Sequence, residues 1–229
     1  MNRLLAALEP ADYEAFMAEA SVISLQLNTR LFDHGGRVDG VCFPMTCMVS
    51  VLAGPAEGDL TEAATIGREG AAGAESVIVN QPALGLHVVQ LPGAAVRMEA
   101  DAFRRQLGSL PALRNLMERH WYAMTRQTLI GAACNRLHQI EKRCARWLLM
   151  THDRAGGSDS FPITQEFLAN MLAVRRASVN SATSGLKKTG LIRYVRGHLT
   201  VIDRSGLESA SCECYKAIRQ AYADAGVPF

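Results

Sequence analysis

The chain has 229 residues, 48% of them hydrophobic, with a formal net charge of +2 and six cysteines. That length can bury a sizeable core and accommodate two domains. No apolar run approaches the ~20 residues of a membrane span, and the N-terminus, MNRLLAALEPADYEAF, acquires acids too early for a secretory segment, so a cytoplasmic chain is expected. Charge is unevenly placed. Residues 1–99 hold 5 Lys/Arg against 12 Asp/Glu, and the remainder holds 19 against 10. The first half should avoid a polyanion and the second should attract one. A phosphate loop, G-x-S-x-G, H-E-x-x-H and the H-x-H pair of a metal-binding barrel are all missing from the sequence, so no enzyme and no catalytic residue is expected.

In chain order, residues 3–20 read as one or two short helices interrupted at Pro10, with Leu4, Leu5, Leu8, Tyr13, Phe16 and Met17 as their apolar positions. From Ser21 apolar and polar residues alternate. Strands are expected at 22–27, 41–45, 47–53, 61–66, 86–91 and 94–98, punctuated by recurring glycines, Gly58 among them. This spacing predicts an antiparallel β-roll or barrel. His34 and His87 stand singly and read as turn or strand-surface residues rather than metal ligands.

From about Ala100 the period becomes helical. A short helix over 102–107 precedes a longer one opened by Pro111, whose broad apolar side carries Leu113, Leu116, Met117, Trp121, Met124 and Ile130. Over 111–134 it would be ~35 Å long. Arg136 to His152 continues as another helix, Asp153 to Ser160 reads as an exposed loop, and a hinge is expected near Cys134 to His138.

The stretch ITQEFLANMLAVRRASVNSATSGLKKTGLI, Ile163 to Ile192, carries the densest signal. Thr164 can cap a helix bearing Phe167, Leu168, Met171 and Leu172 at helical spacing. After a turn at Ala173-Val174, a second helix puts Val179, Ala182 and Leu186 on one stripe and leaves Arg175, Arg176, Ser178, Asn180 and Ser181 outward. Two short helices joined by a tight turn form a helix-turn-helix, whose second helix enters a DNA major groove by its N-terminal end. Arg can grip a guanine edge bidentately, Asn an adenine edge, and Ser a base or phosphate. Gly190 ends that helix, and a hairpin through Arg196-Gly197-His198 forms a wing. Thr164, Gln165, Arg196 and His198 are candidates to hold phosphates. Asp203 to Ala223 reads as one terminal helix.

The run Ile163-Thr164-Gln165-Glu166, the Val174-Arg175-Arg176 turn, Ser178-Val179, and Gly190-Leu191-Ile192 before a Gly-tipped hairpin resemble the winged helix-turn-helix of the bacterial Crp/Fnr transcription regulators. The resemblance implies an α+β chain. A cyclic-nucleotide-binding-like antiparallel β-roll over 1–110 leads to a dimerisation helix over 111–135 and a DNA-binding domain over 136–229. It implies a homodimer on a palindromic double-stranded operator, contact with RNA polymerase, and a possible small-molecule effector. Arg176 falls at the usual guanine-reading position. Ala177 and Ser181 fall where well-known members carry Glu and a second Arg, so a different operator is expected, and Ala173 replaces the usual turn Gly. Leu113, Leu116, Met117, His120, Met124 and Gln127 would line the dimer helix, with His120 and Gln127 as polar members of its seam. Gly67, Arg68, Glu69, Gly70, Gly73, Glu75, Leu84 and Gly85 align with the ligand cassette. That cassette is degenerate: Ala74 and Leu84-Gly85 stand where nucleotide binders carry a Glu and an Arg-Ser pair, which argues against cyclic AMP. Glu75, Arg68 or Arg97 are the possible substitutes.

The six cysteines, Cys42, Cys47, Cys134, Cys144, Cys212 and Cys214, lack a C-x-x-C pair and read as buried reduced thiols; neither a metal nor another cofactor is expected. Placed on one helix, Cys212 and Cys214 would point about 200° apart, an awkward geometry for one ion. Cys42 and Cys47 flank Pro44 and could meet across a turn. The alternatives to a ligand-controlled regulator are a thiol-based redox-responsive regulator and a metal-binding β-roll protein.

Overall fold

The computed structural model describes residues 1–55 and 60–227; Gly58 lies outside them. A 3-10 turn at Leu5–Ala7 and helix α1 (Pro10–Met17), started by Pro10 at its first position, precede seven strands. These are β1 (Ala20–Leu25), β2 (Arg30–Phe32), β3 (Gly40–Pro44), β4 (Met48–Ala53), β5 (Thr61–Ile66), β6 (Leu86–Leu91) and β7 (Gly93–Glu99), with helix α2 (Ala74–Val79) between β5 and β6. They form two antiparallel sheets, ordered β1-β7-β3 and β2-β6-β4-β5. Val41, Phe43, Val96 and Met98 of the first sheet share one buried cluster with Phe32, Met48, Leu52 and Leu91 of the second. The expected strands are present. β2 and α2 were not expected, because three residues show no periodicity and α2 is a single six-residue segment enclosed by left-handed residues, Gly73 and Asn80.

Helices α3 (Ala100–Ser109) and α4 (Pro111–Leu137) follow. The 27 residues of α4 span ~40 Å at 1.5 Å per residue. The chain then breaks at His138-Gln139 into α5 (Ile140–Arg154). Beyond it lie β8 (Ser160–Pro162), α6 (Gln165–Met171), α7 (Arg176–Lys188), β9 (Ile192–Val195) and β10 (His198–Val201). The three strands make a small sheet, β8-β10-β9, so the end of the expected loop is used as a wing strand. The terminal segment is two helices, α8 (Arg204–Ala210) and α9 (Cys214–Asp224), a correction to the single helix read from the sequence. The Asp203 side chain caps α8, and Ser211 and Cys212 leave the helical path.

Helix α4 packs on β5 and α9, so the roll, the long helix and the C-terminal domain are in contact. Thr61 Oγ1 donates to the Met171 carbonyl at 3.3 Å, and Trp147 Nε1 donates to Glu62 Oε1 at 2.8 Å. Arg154 Nε donates to Glu69 Oε1 at 2.8 Å, with both side chains fully buried.

Candidate nucleic-acid interface

Helix α6 begins as the sequence dictates, with Thr164 Oγ1 accepting from the Phe167 amide at 3.0 Å. At its other end Ala173 takes a left-handed conformation (φ +50°). The Ala173 amide donates to the Asn170 carbonyl at 3.2 Å and the Val174 amide to the Ala169 carbonyl at 3.1 Å, the pair of bonds that closes a Schellman motif. From α5, Arg143 Nη2 donates to the Leu172 carbonyl at 2.5 Å and caps the same end with a positive charge. Two helices are thus turned sharply against each other, with Val179, Ala182 and Leu186 of α7 buried.

The opposite face of α7 is open. Arg175, at the N-cap, and Arg176, Asn180 and Ser181 are exposed, and Ser178 is half-buried. Gln165 Nε2 donates to Asn180 Oδ1 at 3.1 Å, tying the starts of the two helices together. In the wing, Arg196 and Gly197 have φ +48° and +78°, the left-handed pair that a two-residue hairpin turn needs, and Arg196 and His198 are exposed at its tip. Tyr194 donates its hydroxyl to the Ile163 carbonyl at 2.8 Å, fixing the wing beside the start of α6. Every candidate of the DNA-facing set except half-buried Gln165 and Ser178 is therefore exposed on one motif. Arg193, Lys187 and Lys188 are exposed on the same motif and were not singled out; their charge and position after the apolar stripe were the available signal.

The model of the Crp-like helix-turn-helix domain matches residues 142–210. This chain carries a Crp-like helix-turn-helix domain. Among solved structures, a regulator assigned to the Crp/Fnr family from Eubacterium rectale matches 90% of this chain and 96% of its own at 15% identity, with a TM-score of 0.68. A CRP-family transcriptional regulator from Thermus thermophilus matches 82% and 96% at 19% identity, TM-score 0.67. The c-di-GMP-responsive global regulator CLP of Xanthomonas campestris matches 84% and 99% at 11% identity, TM-score 0.68. No curated protein matches the sequence significantly. The chain has the Crp/Fnr fold, α+β with an N-terminal β-roll, as the resemblance implied.

The Crp-like domain starts in α5, and its docking accounts for much of the expected ligand cassette. A Cβ at Gly67 would meet Arg154 Cγ at 2.6 Å and one at Gly70 would meet His120 Cε1 at 2.7 Å. Those glycines admit side chains of α5 and α4. Glu69 is occupied by Arg154 and by the Gly67 amide at 3.0 Å, which removes it as a ligand group. At Gly73, left-handed at φ +83°, a Cβ would strike the Phe32 ring, and at Gly85 the Leu52 carbonyl. Arg97 pairs with Asp39 and Glu99, so it is not a free phosphate partner. Arg68 is half-buried, and its Nε has no hydrogen-bond partner among the described residues. His87, expected at a surface, is fully buried; its Nε2 lies 3.3 Å from Glu75 Oε1 and its Nδ1 lies 3.1 Å from the Gly85 carbonyl. Glu75 and Leu84 border a cavity of about 390 Å³ between α2, α3 and α4, walled also by Ile78, Leu107, Met117 and Trp121. Its walls are mainly apolar, with Arg114 among its polar members.

On α4 the expected seam requires correction. Leu113, Leu116, Met117, His120, Met124 and Gln127 are all buried within the protomer. The Ala71 amide donates to His120 Nε2 at 3.2 Å, and Gln127 Nε2 donates to the Thr65 carbonyl at 3.1 Å. Burial holds His120 below its ordinary pKa and therefore neutral, as an acceptor requires. The apolar face seen in the sequence was the one that packs on the β-roll. Trp121, read with that face, is instead exposed at its edge, and the other face exposes Tyr122, Leu129 and Leu137.

The cysteines fall into two groups. Burial pushes the thiols of Cys42 and Cys144 up to about 12 and that of Cys47 to about 11, which makes them inert. Cys134, Cys212 and Cys214 converge with His138; the hydrogen bond between Cys134 and Cys212 lowers the pKa of Cys134 and raises that of Cys212, and burial raises that of Cys214. On a single helix Cys212 and Cys214 would diverge and could not share an ion. Cys212 precedes α9, however, and both thiols reach one cluster.

Proposed function

We propose that the protein is a homodimeric, sequence-specific DNA-binding transcription regulator. The exposure of Arg175 and Arg176 at the N-terminal end of α7, beside a basic wing tip, carries this reading. Arg176 grips a guanine edge, Arg175, Ser178, Asn180 and Ser181 complete the groove contact, and Thr164, Gln165, Arg196 and His198 hold phosphates. Thr164 and Gln165 do so with the donor capacity left after their bonds to Phe167 and Asn180.

Two copies would join through the exposed face of α4. On that face Tyr122, Leu129 and Ala132 are exposed apolar residues at spacings of seven and three, with Thr125 in the same row and Glu118 and Arg136 at its ends, a row that a second helix would cover. A twofold pair presents two recognition helices to half-sites ~34 Å apart. With Glu69 internally paired and Leu84-Gly85 in place of the Arg-Ser pair, the effector of the β-roll is not a cyclic nucleotide held in the family manner.

The test begins with selection of bound sites from random DNA. On the selected operator Arg176→Ala should cost ~1–3 kcal/mol, roughly 5- to 150-fold in affinity, and flatten preference at one base pair. Light scattering should find two chains per operator. Equal loss of affinity on every sequence would remove Arg176 from base reading.

A further inference from the structure

Where α4 ends and α9 begins, four groups that can bind a metal converge. Cys134 and His138 lie four residues apart across the last turn of α4, so they share a helix face. Cys212, in the bend after α8, and Cys214, at the first position of α9, approach from the other side. One ligand atom from each of the four lies within 4.8 Å of every other. The Cys134 and Cys212 sulfurs are 3.5 Å apart, and Cys214 Sγ is 3.6 Å from His138 Nδ1. A tetrahedral ion with bonds of ~2.3 Å to sulfur and ~2.0 Å to nitrogen places its ligand atoms roughly 3.5–3.8 Å apart. Two edges of that tetrahedron are thus already formed, and the widest separation has to close by only about 1 Å.

The geometry points to a structural zinc(II) site built from Cys134, His138, Cys212 and Cys214. A second feature independently suits an ion. With Nδ1 turned towards the sulfurs, His138 presents Nε2 to Glu213 Oε1 at 3.1 Å, the carboxylate–histidine arrangement that orients a metal-bound imidazole. All three sulfurs are buried and His138 is half-buried, so all four coordination positions come from protein and the site is closed. Three thiols and one imidazole suit a soft or borderline tetrahedral ion over calcium or magnesium. On binding, three S–H bonds break, three Zn–S bonds and one Zn–N bond form, and three protons pass to solvent. The resulting centre carries one net negative charge, and Arg146 is near enough to interact electrostatically with all three sulfurs. The ion would clamp the end of the long helix, one residue from the break before α5, to the terminal helix of the Crp-like domain.

The full-length protein, stripped by a chelator under reducing conditions, is titrated with cobalt(II) and then with zinc(II). One equivalent of cobalt per chain should develop the near-ultraviolet thiolate charge-transfer band and the visible bands of a tetrahedral centre, and zinc should abolish both. Cys214→Ser and His138→Ala should lose or shift those bands, whereas Cys144→Ala, altered at a thiol outside the group, should keep them. Glu213→Gln should bind with the same spectrum but roughly 10- to 100-fold more weakly. Circular dichroism identifies any variant that fails to fold, and the wild-type titration is decisive without the variants. Absence of the cobalt bands in reduced wild-type protein overturns the site. So does a spectrum unchanged in both folded ligand variants. A mass showing that reduction-resistant Cys134–Cys212 disulfide formation is what excludes cobalt would assign the cluster to thiol chemistry instead.

Discussion

At the tip of α7, Arg175 and Arg176 stand in solvent with no ion pair to either among the described residues, whereas Arg154, at the junction of the β-roll and the Crp-like domain, is fully buried. Arg154 meets Glu69 Oε1, the Met150 carbonyl at 3.1 Å and Gln127 Oε1 at 3.3 Å, and lies over the Tyr222 ring. One residue type serves opposite ends. An exposed guanidinium keeps its donors for an incoming phosphate or base, while a buried one is tolerable only when a carboxylate and several acceptors replace water. The first is available to a partner; the second fastens two domains.

Breaking the second should therefore have the largest effect on stability. Glu69→Gln leaves the Arg154 charge buried without its carboxylate and should cost ~3–5 kcal/mol in urea unfolding. The double variant Glu69→Gln/Arg154→Met removes both charges and should be less destabilised than the single one. If the two lose the same stability, the ion pair is not what holds the junction.

The next largest effect depends on pH. Burial pushes the Glu62 carboxyl up to about 7, against hydrogen bonds from Ser50 and Trp147 that pull it down. Ser50 Oγ is 2.8 Å from Glu62 Oε2 and 2.5 Å from Gln90 Oε1, yet it has one hydrogen. A protonated Glu62 donating to Ser50, which in turn donates to Gln90, satisfies all three groups. Because the folded state keeps this proton and the unfolded carboxyl loses it near 4.5, stability should fall as pH rises from about 4.5 to about 7 and then level off. The fall attributable to Glu62 should be ~1–3 kcal/mol, and Glu62→Gln should flatten it. A variant with the wild-type pH profile of urea midpoints would show that Glu62 does not hold the proton. Arg176→Ala, at the other end of the comparison, should leave the free energy of unfolding in urea within ~0.5 kcal/mol of wild type while weakening operator binding.

The same contrast explains what was legible in the sequence. The recognition tip follows from local rules: a Thr cap, a 3.6-residue stripe, a turn and a hairpin, all within forty residues or so of one another. The roles of Glu69, Gly67 and Gly70 depend on Arg154 and His120, which lie far along the chain and reach the cassette only through tertiary packing. Periodicity showed that α4 has an apolar face but could not say whether the protomer or a second copy covers it. Cys134 and His138 stand four residues apart but read only as the ends of a hinge, and the bend at Ser211 and Cys212 that delivers the other two ligands leaves no local signal.

The smallest predicted effect lies in the turn between α6 and α7. Ala173 occupies the position after the helix cap at which a Schellman motif favours glycine, and its left-handed φ of +50° strains an L side chain by ~1 kcal/mol or more. The geometry is held by the Ala173 and Val174 amide bonds and by Arg143 on the Leu172 carbonyl, so the motif keeps its shape at the expense of stability. Ala173→Gly relieves the strain and gives back part of the gain as extra freedom of the unfolded chain. The net should be ~0.5–1 kcal/mol of added stability, a rise in melting temperature of roughly 1–4 °C for a chain of this size. Since the same two amide bonds close the turn with either residue, α7 should keep its angle and operator affinity should not change. A lower melting temperature would show that Ala173 is not left-handed in solution, and altered affinity at unchanged stability would show that its methyl group, exposed beside Arg175, touches DNA.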